Sequence, residues 1–126
     1  MPKQIHSAPN GPTPIGPYSI VTEANGFVFL AGMVAIDPQT NTPVAGGVEE
    51  QAHRVMGNIG AVLGDVGLGF DDIVKTTVYL ADIADFPTVN AVYAGYVGDA
   101  KPARTTIEAG ALPGGYRVEI DVIAAR

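Results

Sequence analysis

Five consecutive residues, Phe27-Val28-Phe29-Leu30-Ala31, have no polar side. Along an extended strand successive side chains point to opposite faces, so both faces of this strand call for cover. The chain supplies two helical stretches, and two helices can cover one face of a sheet. In 126 residues no third layer remains. The economical cover for the second face is a neighbouring subunit, so a homo-oligomer is expected. The last strand-like segment carries the same tension. Val118, Ile120 and Val122 lie on one side, while Ile123 joins Glu119 and Asp121 on the other.

The helices are read from periodicity. Between Val48 and Val66, apolar residues recur as Val48, Ala52, Val55, Met56, Ile59, Val62, Leu63 and Val66, which forms one stripe at helical spacing. Gly57, Gly60 and Gly64 share a further face of that helix, where helix-on-helix packing at close approach is expected, and Gly67 and Gly69 stop it. A second helix is expected over about residues 85–97, capped by Asp82 or Asp85, with Pro87 in its first turn. Strands are expected from Tyr18 to Thr22, Phe27 to Ala31, Ile73 to Ala81, Arg104 to Glu108 and Val118 to Ala124, with Gly32 ending or kinking the second. Asn25-Gly26 is a hairpin turn signal, and residues 37–41 read as another turn. The order is ββ-α-β-α-ββ. No linker, repeat or low-complexity tract divides the chain, so residues 1–126 are expected to form one α+β domain.

Composition removes several classes of function. There are no cysteines, which excludes disulfides, a thiolate nucleophile and Cys-rich zinc sites. His6 and His53 stand far apart, with no H-x-x-x-H spacing, so no metal is expected. The net charge of −6, with dispersed basic residues, argues against a nucleic-acid partner. No signal peptide or membrane-length apolar run is evident, and a cytoplasmic protein is expected. Neither a dinucleotide fingerprint nor a P-loop occurs, and Ser7 and Ser19 lack a nucleophile elbow.

What remains is a pattern on two strands. Arg104, Thr106 and Glu108 project to one face of theirs, and Arg117, Glu119 and Asp121 to one face of the last. Were these strands neighbours, a guanidinium and a carboxylate could share a site. The first would grip a substrate carboxylate through paired hydrogen bonds, and the second would hold or deprotonate water. An ordinary surface ion pair would leave the same pattern.

Over nearly its whole length the chain resembles the RidA family, formerly YjgF. The likeness rests on Ile15-Gly16-Pro17-Tyr18-Ser19, on Leu30-Ala31-Gly32 followed by Asp37-Pro38, and on residues 73–80 (IVKTTVYL) with Asp85-Phe86 and Val89-Asn90-Ala91-Val92-Tyr93. It continues through Pro102-Ala103-Arg104, Leu112-Pro113 and Val118-Glu119-Ile120. The resemblance implies a chorismate-mutase-like α+β fold, a mixed sheet with two helices on one face. It also implies a homotrimer whose sheets line a central barrel, with a substrate cleft between subunits. Active members hydrolyse enamine and imine intermediates, such as 2-aminoacrylate and 2-iminopropanoate, to 2-oxo acids and ammonia without a cofactor.

By position, the resemblance makes Arg104 the ligand of the substrate carboxylate, Glu119 the holder of the attacking water and Tyr18 a cleft residue. Asn90 would lie beside the site, and Gly32 would let the backbone approach the ligand. Two positions depart from the pattern. Thr106 stands where many members have Cys, and Met33 where glutamine is frequent, so Met33 would alter the polarity of the pocket wall. Thr106 would be tolerated if its backbone carbonyl makes the contact. A second reading keeps the cleft but makes the trimer a non-enzymatic binder of a small carboxylic acid. A translation-associated nuclease or a chaperone finds little support in so acidic a chain.

Overall fold

The computed structural model describes residues 2–126. In chain order the elements are β1 (Gln4–His6), β2 (Val21–Ala24), β3 (Phe27–Met33), β4 (Ile36–Asp37), β5 (Thr42–Pro43), α1 (Val48–Asp65), β6 (Ile73–Leu80), α2 (Phe86–Val97), β7 (Ala103–Glu108) and β8 (Val118–Ala125). Six strands form one sheet in the order β1-β2-β3-β8-β6-β7, and β4 and β5 make a separate small hairpin. All neighbours in the large sheet are antiparallel except β6 and β7, which run parallel because α2 carries the chain between them.

Both helices lie on one face of this mixed sheet. Every residue of the expected α1 stripe is buried, together with Val21, Val28, Leu30, Val78, Leu80, Val118, Ile120, Val122 and Ala124 from the strands. The α1 helix starts where the Glu50 carboxylate accepts the Gly47 N–H at 2.9 Å. It stops in a left-handed cap, with Gly67 at φ +79, Gly67 N–H bonded to Gly64 O at 3.1 Å and Leu68 N–H to Leu63 O at 2.8 Å. Asp82 caps the short 3₁₀ turn ahead of α2 by accepting the Ala84 N–H at 2.9 Å. Asp85 makes no side-chain cap; its carboxylate pairs with Arg117, both guanidinium contacts to Oδ2 lying within 3.2 Å.

The opposite face has no cover among the described residues. Phe27 and Phe29 remain 46% and 40% exposed there, joined by Ile5 and Ile107. The register assigns Lys75, Thr77, Tyr79, Glu119, Asp121 and Ile123 to this same side.

Several expectations need correction. Short β1 on the sheet edge carries no sequence signal strong enough to announce it. The strand expected from Tyr18 begins at Val21, because Ile15-Gly16-Pro17 holds the preceding residues in a loop. Of the two outcomes expected at Gly32, the strand is kinked and not ended: β3 runs on to Met33 through a register shift against β8 between Leu30 and Met33. The α1 glycines do not receive a second backbone. A Cβ at Gly57 would lie 2.9 Å from Arg54 Nη2 and one at Gly60 would lie 3.1 Å from the Phe70 ring, while Gly64 is open.

Asn58 is the one polar side chain of α1 wholly withdrawn from solvent. Its amide donates to Val34 O at 3.2 Å and Ile36 O at 2.8 Å, which pins the segment after β3 onto the helix. Replacing Asn58 by Ala strands those carbonyls and is expected to lower unfolding free energy by about 1–3 kcal/mol in urea titrations.

Candidate functional site

The residues singled out by sequence separate into two groups on opposite faces of the sheet. Strand β6 lies between β7 and β8, so the strands bearing Arg104 and Glu119 are not neighbours. Arg104 stands across from Thr76, whose side chain is buried on the helix side. Glu119 stands across from Tyr79, on the open side. Arg117 lies just ahead of β8, turns to Asp85, and joins neither group. A single protomer therefore does not bring Arg104 and Glu119 into one pocket.

The first group forms where β7 ends the sheet beside α2. Arg104 is exposed, and its Nη1 donates to Asn90 Oδ1 at 2.8 Å. Its guanidinium carbon sits 4.9 Å from the Tyr93 ring centroid and 5.4 Å from that of Phe86. Both rings attract the cation through their faces. The Tyr93 ring is itself anchored, since its hydroxyl shares a 2.8 Å hydrogen bond with buried Thr76. Among the described residues no carboxylate pairs with Arg104. The result is an aimed guanidinium with donors left over, beside a cavity of about 350 Å³. Thr106, half-buried, follows two residues along the same strand face. Phe86 and Tyr93 pack with the core from α2 and also cage the cation, a second role that the spacing of apolar residues along a helix does not signal.

The second group centres on Glu119. Its carboxyl group packs against Gly32, and a Cβ at that position would come within 2.9 Å of Glu119 Cδ. Gly32 is thus a place where any side chain would displace the acid. Glu119 is half-buried, and burial, aided by the negative charge of Asp121, pushes its carboxyl above the usual carboxylate range. Tyr79 donates its hydroxyl to Asp121 at 2.9 Å, and that bond is the main reason its own phenol is pushed up. No cation pairs with Glu119 or Asp121 among the described residues.

Two expected site residues stand apart from both groups. Tyr18, 49% exposed, lies on the N-terminal loop, where it lines a cavity of about 340 Å³ that includes neither Arg104 nor Glu119. Met33 is 1% exposed and belongs to the core beneath the helices, so its side chain does not form a pocket wall. The register shift after Leu30 is the cause: it turns Met33 inward although simple alternation from Val28 and Leu30 would turn it out. Among the described residues no three His, Asp or Glu side chains gather as a metal site would require.

A raised Glu119 pKa in the folded state opposes folding once the carboxyl ionises. This group's contribution to stability is therefore full below its unfolded pKa and is lost as pH rises through the folded value. Glu119→Gln removes that loss. The variant is expected to melt with the wild type at about pH 4 and above it at about pH 7, as read by thermal unfolding at both pH values.

The family model described as Endoribonuclease L-PSP matches residues 8–126. The chain is 43% identical to a RutC family protein of Pyrococcus horikoshii, covering 97% of each chain. It is 40% identical to the 2-iminobutanoate/2-iminopropanoate deaminase of Mus musculus, over 98% of this chain and 92% of that protein. The crystal structure of RidA from the Antarctic bacterium Psychrobacter sp. superposes with a TM-score of 0.93 at 32% identity, covering 98% of this chain and 99% of the other. The uncovered sheet face, the caged arginine and the glycine-backed glutamate thus sit on a fold and a sequence shared with these proteins, and the chain belongs to the RidA/YjgF family.

Proposed function

We propose that the chain hydrolyses reactive 2-imino and 2-enamino acids, such as 2-iminopropanoate, to 2-oxo acids and ammonia, in clefts between the copies of a homotrimer. The observation that carries this reading is the division of charge. Arg104 is an aimed cation without an acid, Glu119 is an acid without a cation, and they occupy opposite faces of one protomer. Each group is half of a site, and a second copy laid against the bare face can supply the missing half. The exposed Phe27, Phe29, Ile5 and Ile107 give that contact its apolar area. Residues 1–126 act as one domain in this scheme.

In the cleft Arg104 grips the substrate carboxylate, and the rings of Phe86 and Tyr93 with Asn90 keep the guanidinium from swinging. Glu119 of the other copy holds water beside the imine carbon. As the water oxygen bonds to that carbon, the C=N pair moves to nitrogen and Glu119 takes the water proton. The carboxyl returns that proton to nitrogen, which gives a neutral carbinolamine; the carboxylate then takes the carbinolamine hydroxyl proton and passes it to the amine, so that the carbonyl forms as the C–N bond breaks and ammonia leaves. A raised pKa suits an acid that must both accept and return a proton. Gly32 gives room for the acid and the ligand, Tyr18 closes the cleft from the N-terminal loop, and the Thr106 backbone carbonyl faces the reacting nitrogen. The scheme needs no cofactor. RNA cleavage is not part of it: the chain is acidic, and two of its arginines, Arg117 and Arg126, are tied to carboxylates.

The test generates the imine with an amino-acid oxidase, traps it with semicarbazide, and follows loss of the adduct. Wild-type protein is expected to suppress adduct formation, whereas Arg104→Ala and Glu119→Gln each lose at least about a hundredfold in kcat/KM. If the two halves come from different copies, unfolding the inactive variants together and refolding them 1:1 restores about a quarter of wild-type activity, from one intact site in each mixed trimer. Inactive wild type would overturn the deaminase. Active wild type with no recovery on mixing would overturn the shared cleft.

A further inference from the structure

The cavity beside Arg104 contains a second cation. It is lined by Asn90, Tyr93, Val97 and Arg104, and also by Lys101, and no acidic side chain borders it. In a chain of net charge −6, two basic residues with no carboxylate between them are an uncompensated positive pocket. Lys101 forms no ion pair among the described residues.

The backbone at Lys101 points the same way. It sits at φ 42, ψ 60, in the left-handed region, between a 3₁₀ turn (Gly98–Ala100) and Pro102. Backbone conformation alone would favour Gly or Asn there, since a Cβ crowds the following carbonyl. Two residues join the two cations, Pro102 fixing the bend between them and Ala103 opening β7. The cavity lining thus carries both the caged guanidinium and an ammonium on a long stem. A substrate with one carboxylate engages only the first. A substrate with a second carboxylate two or three carbons away engages both.

We propose that Lys101 is a specificity-determining residue: it takes the distal carboxylate of a 2-imino dicarboxylic acid while Arg104 holds the carboxylate next to the imine. This rests on the deaminase reading and names its substrate class. The Lys101 ammonium makes no bond to the reacting atoms, so its contribution falls on binding and orientation of the four- and five-carbon diacids and not on the hydrolytic step.

The test uses the full chain and two imines made in place, 2-iminoglutarate from a D-aspartate oxidase acting on D-glutamate and 2-iminopropanoate from a D-amino-acid oxidase acting on D-alanine. Semicarbazide trapping gives kcat/KM for each. Wild-type protein is expected to favour the dicarboxylate. Lys101→Met is expected to lower the ratio of kcat/KM values, dicarboxylate over monocarboxylate, about tenfold, mainly through KM, and Lys101→Arg to restore most of it. An unchanged ratio in Lys101→Met, with both imines still hydrolysed, overturns the proposal and leaves the deaminase standing. If wild-type protein hydrolyses neither imine, the deaminase reading falls. Calorimetric binding of 2-oxoglutarate against 2-oxobutanoate then decides Lys101 by itself: a preference for the diacid that Lys101→Met abolishes supports the cation pair, and equal binding overturns it.

Discussion

Side-chain alternation along β8 is the constraint from which the rest of the structure follows. The strand runs between β3 and β6, with Val118, Ile120, Val122 and Ala124 closed under the helices and Glu119, Asp121 and Ile123 turned the other way. A slip of one residue would exchange these sets and press two carboxylates into an apolar core. Burying unpaired charges costs many times what a hydrogen bond returns, so hydrophobic burial fixes which face carries the acids. Glu119 is therefore placed by the core, and its proton affinity follows from that placement and from Asp121 beside it.

Arg104 obeys the same alternation with the opposite result, because its strand is at the edge. Its side chain leaves β7 on the helix side, where an arginine on an inner strand would be buried. At the margin, α2 offers two aromatic faces and an amide, and one of those rings is hydrogen-bonded to a core threonine. The guanidinium is held by contacts that leave its charge intact. This differs from Arg117 and Arg126, which meet Asp85 and Glu23 and serve to tie elements together. Among the described residues the caged cation has no carboxylate counterion, so its charge stays uncompensated.

Keeping the cation and the acid on opposite faces has a chemical consequence. Side by side in one chain they would form an ion pair, which would lower the proton affinity of the acid and occupy the donors of the arginine. Separation through the thickness of the sheet keeps both available. A single copy thus holds the free cation and the free acid on different faces, beside an apolar surface without cover among the described residues.

Much of this was legible in the sequence for reasons that are local. The α1 stripe, its stop at Gly67, the Asn25-Gly26 turn and the double-sided apolarity of residues 27–31 all depend on spacing within one element, which backbone geometry converts directly into a face. The identities of Arg104, Glu119, Asn90 and Gly32 came through family resemblance, which is also local in sequence. What periodicity could not carry was the insertion of β6 between β7 and β8, a pairing of segments far apart in the chain. That long-range choice separated Arg104 from Glu119, and the register, with Arg104 across from Thr76 and Glu119 across from Tyr79, set them on opposite faces. The bulge after Leu30 likewise turned Met33 into the core, and the packing of α1 on the segment after β3 gave Asn58 its two carbonyls. The sequence by itself determined the two helices, the principal strands, their apolar faces and the shortage of cover for the second sheet face, because those follow from side-chain order along a strand or helix. Only the tertiary structure decided which residues share a pocket, because strand order and register are settled by the burial energy of the whole sheet.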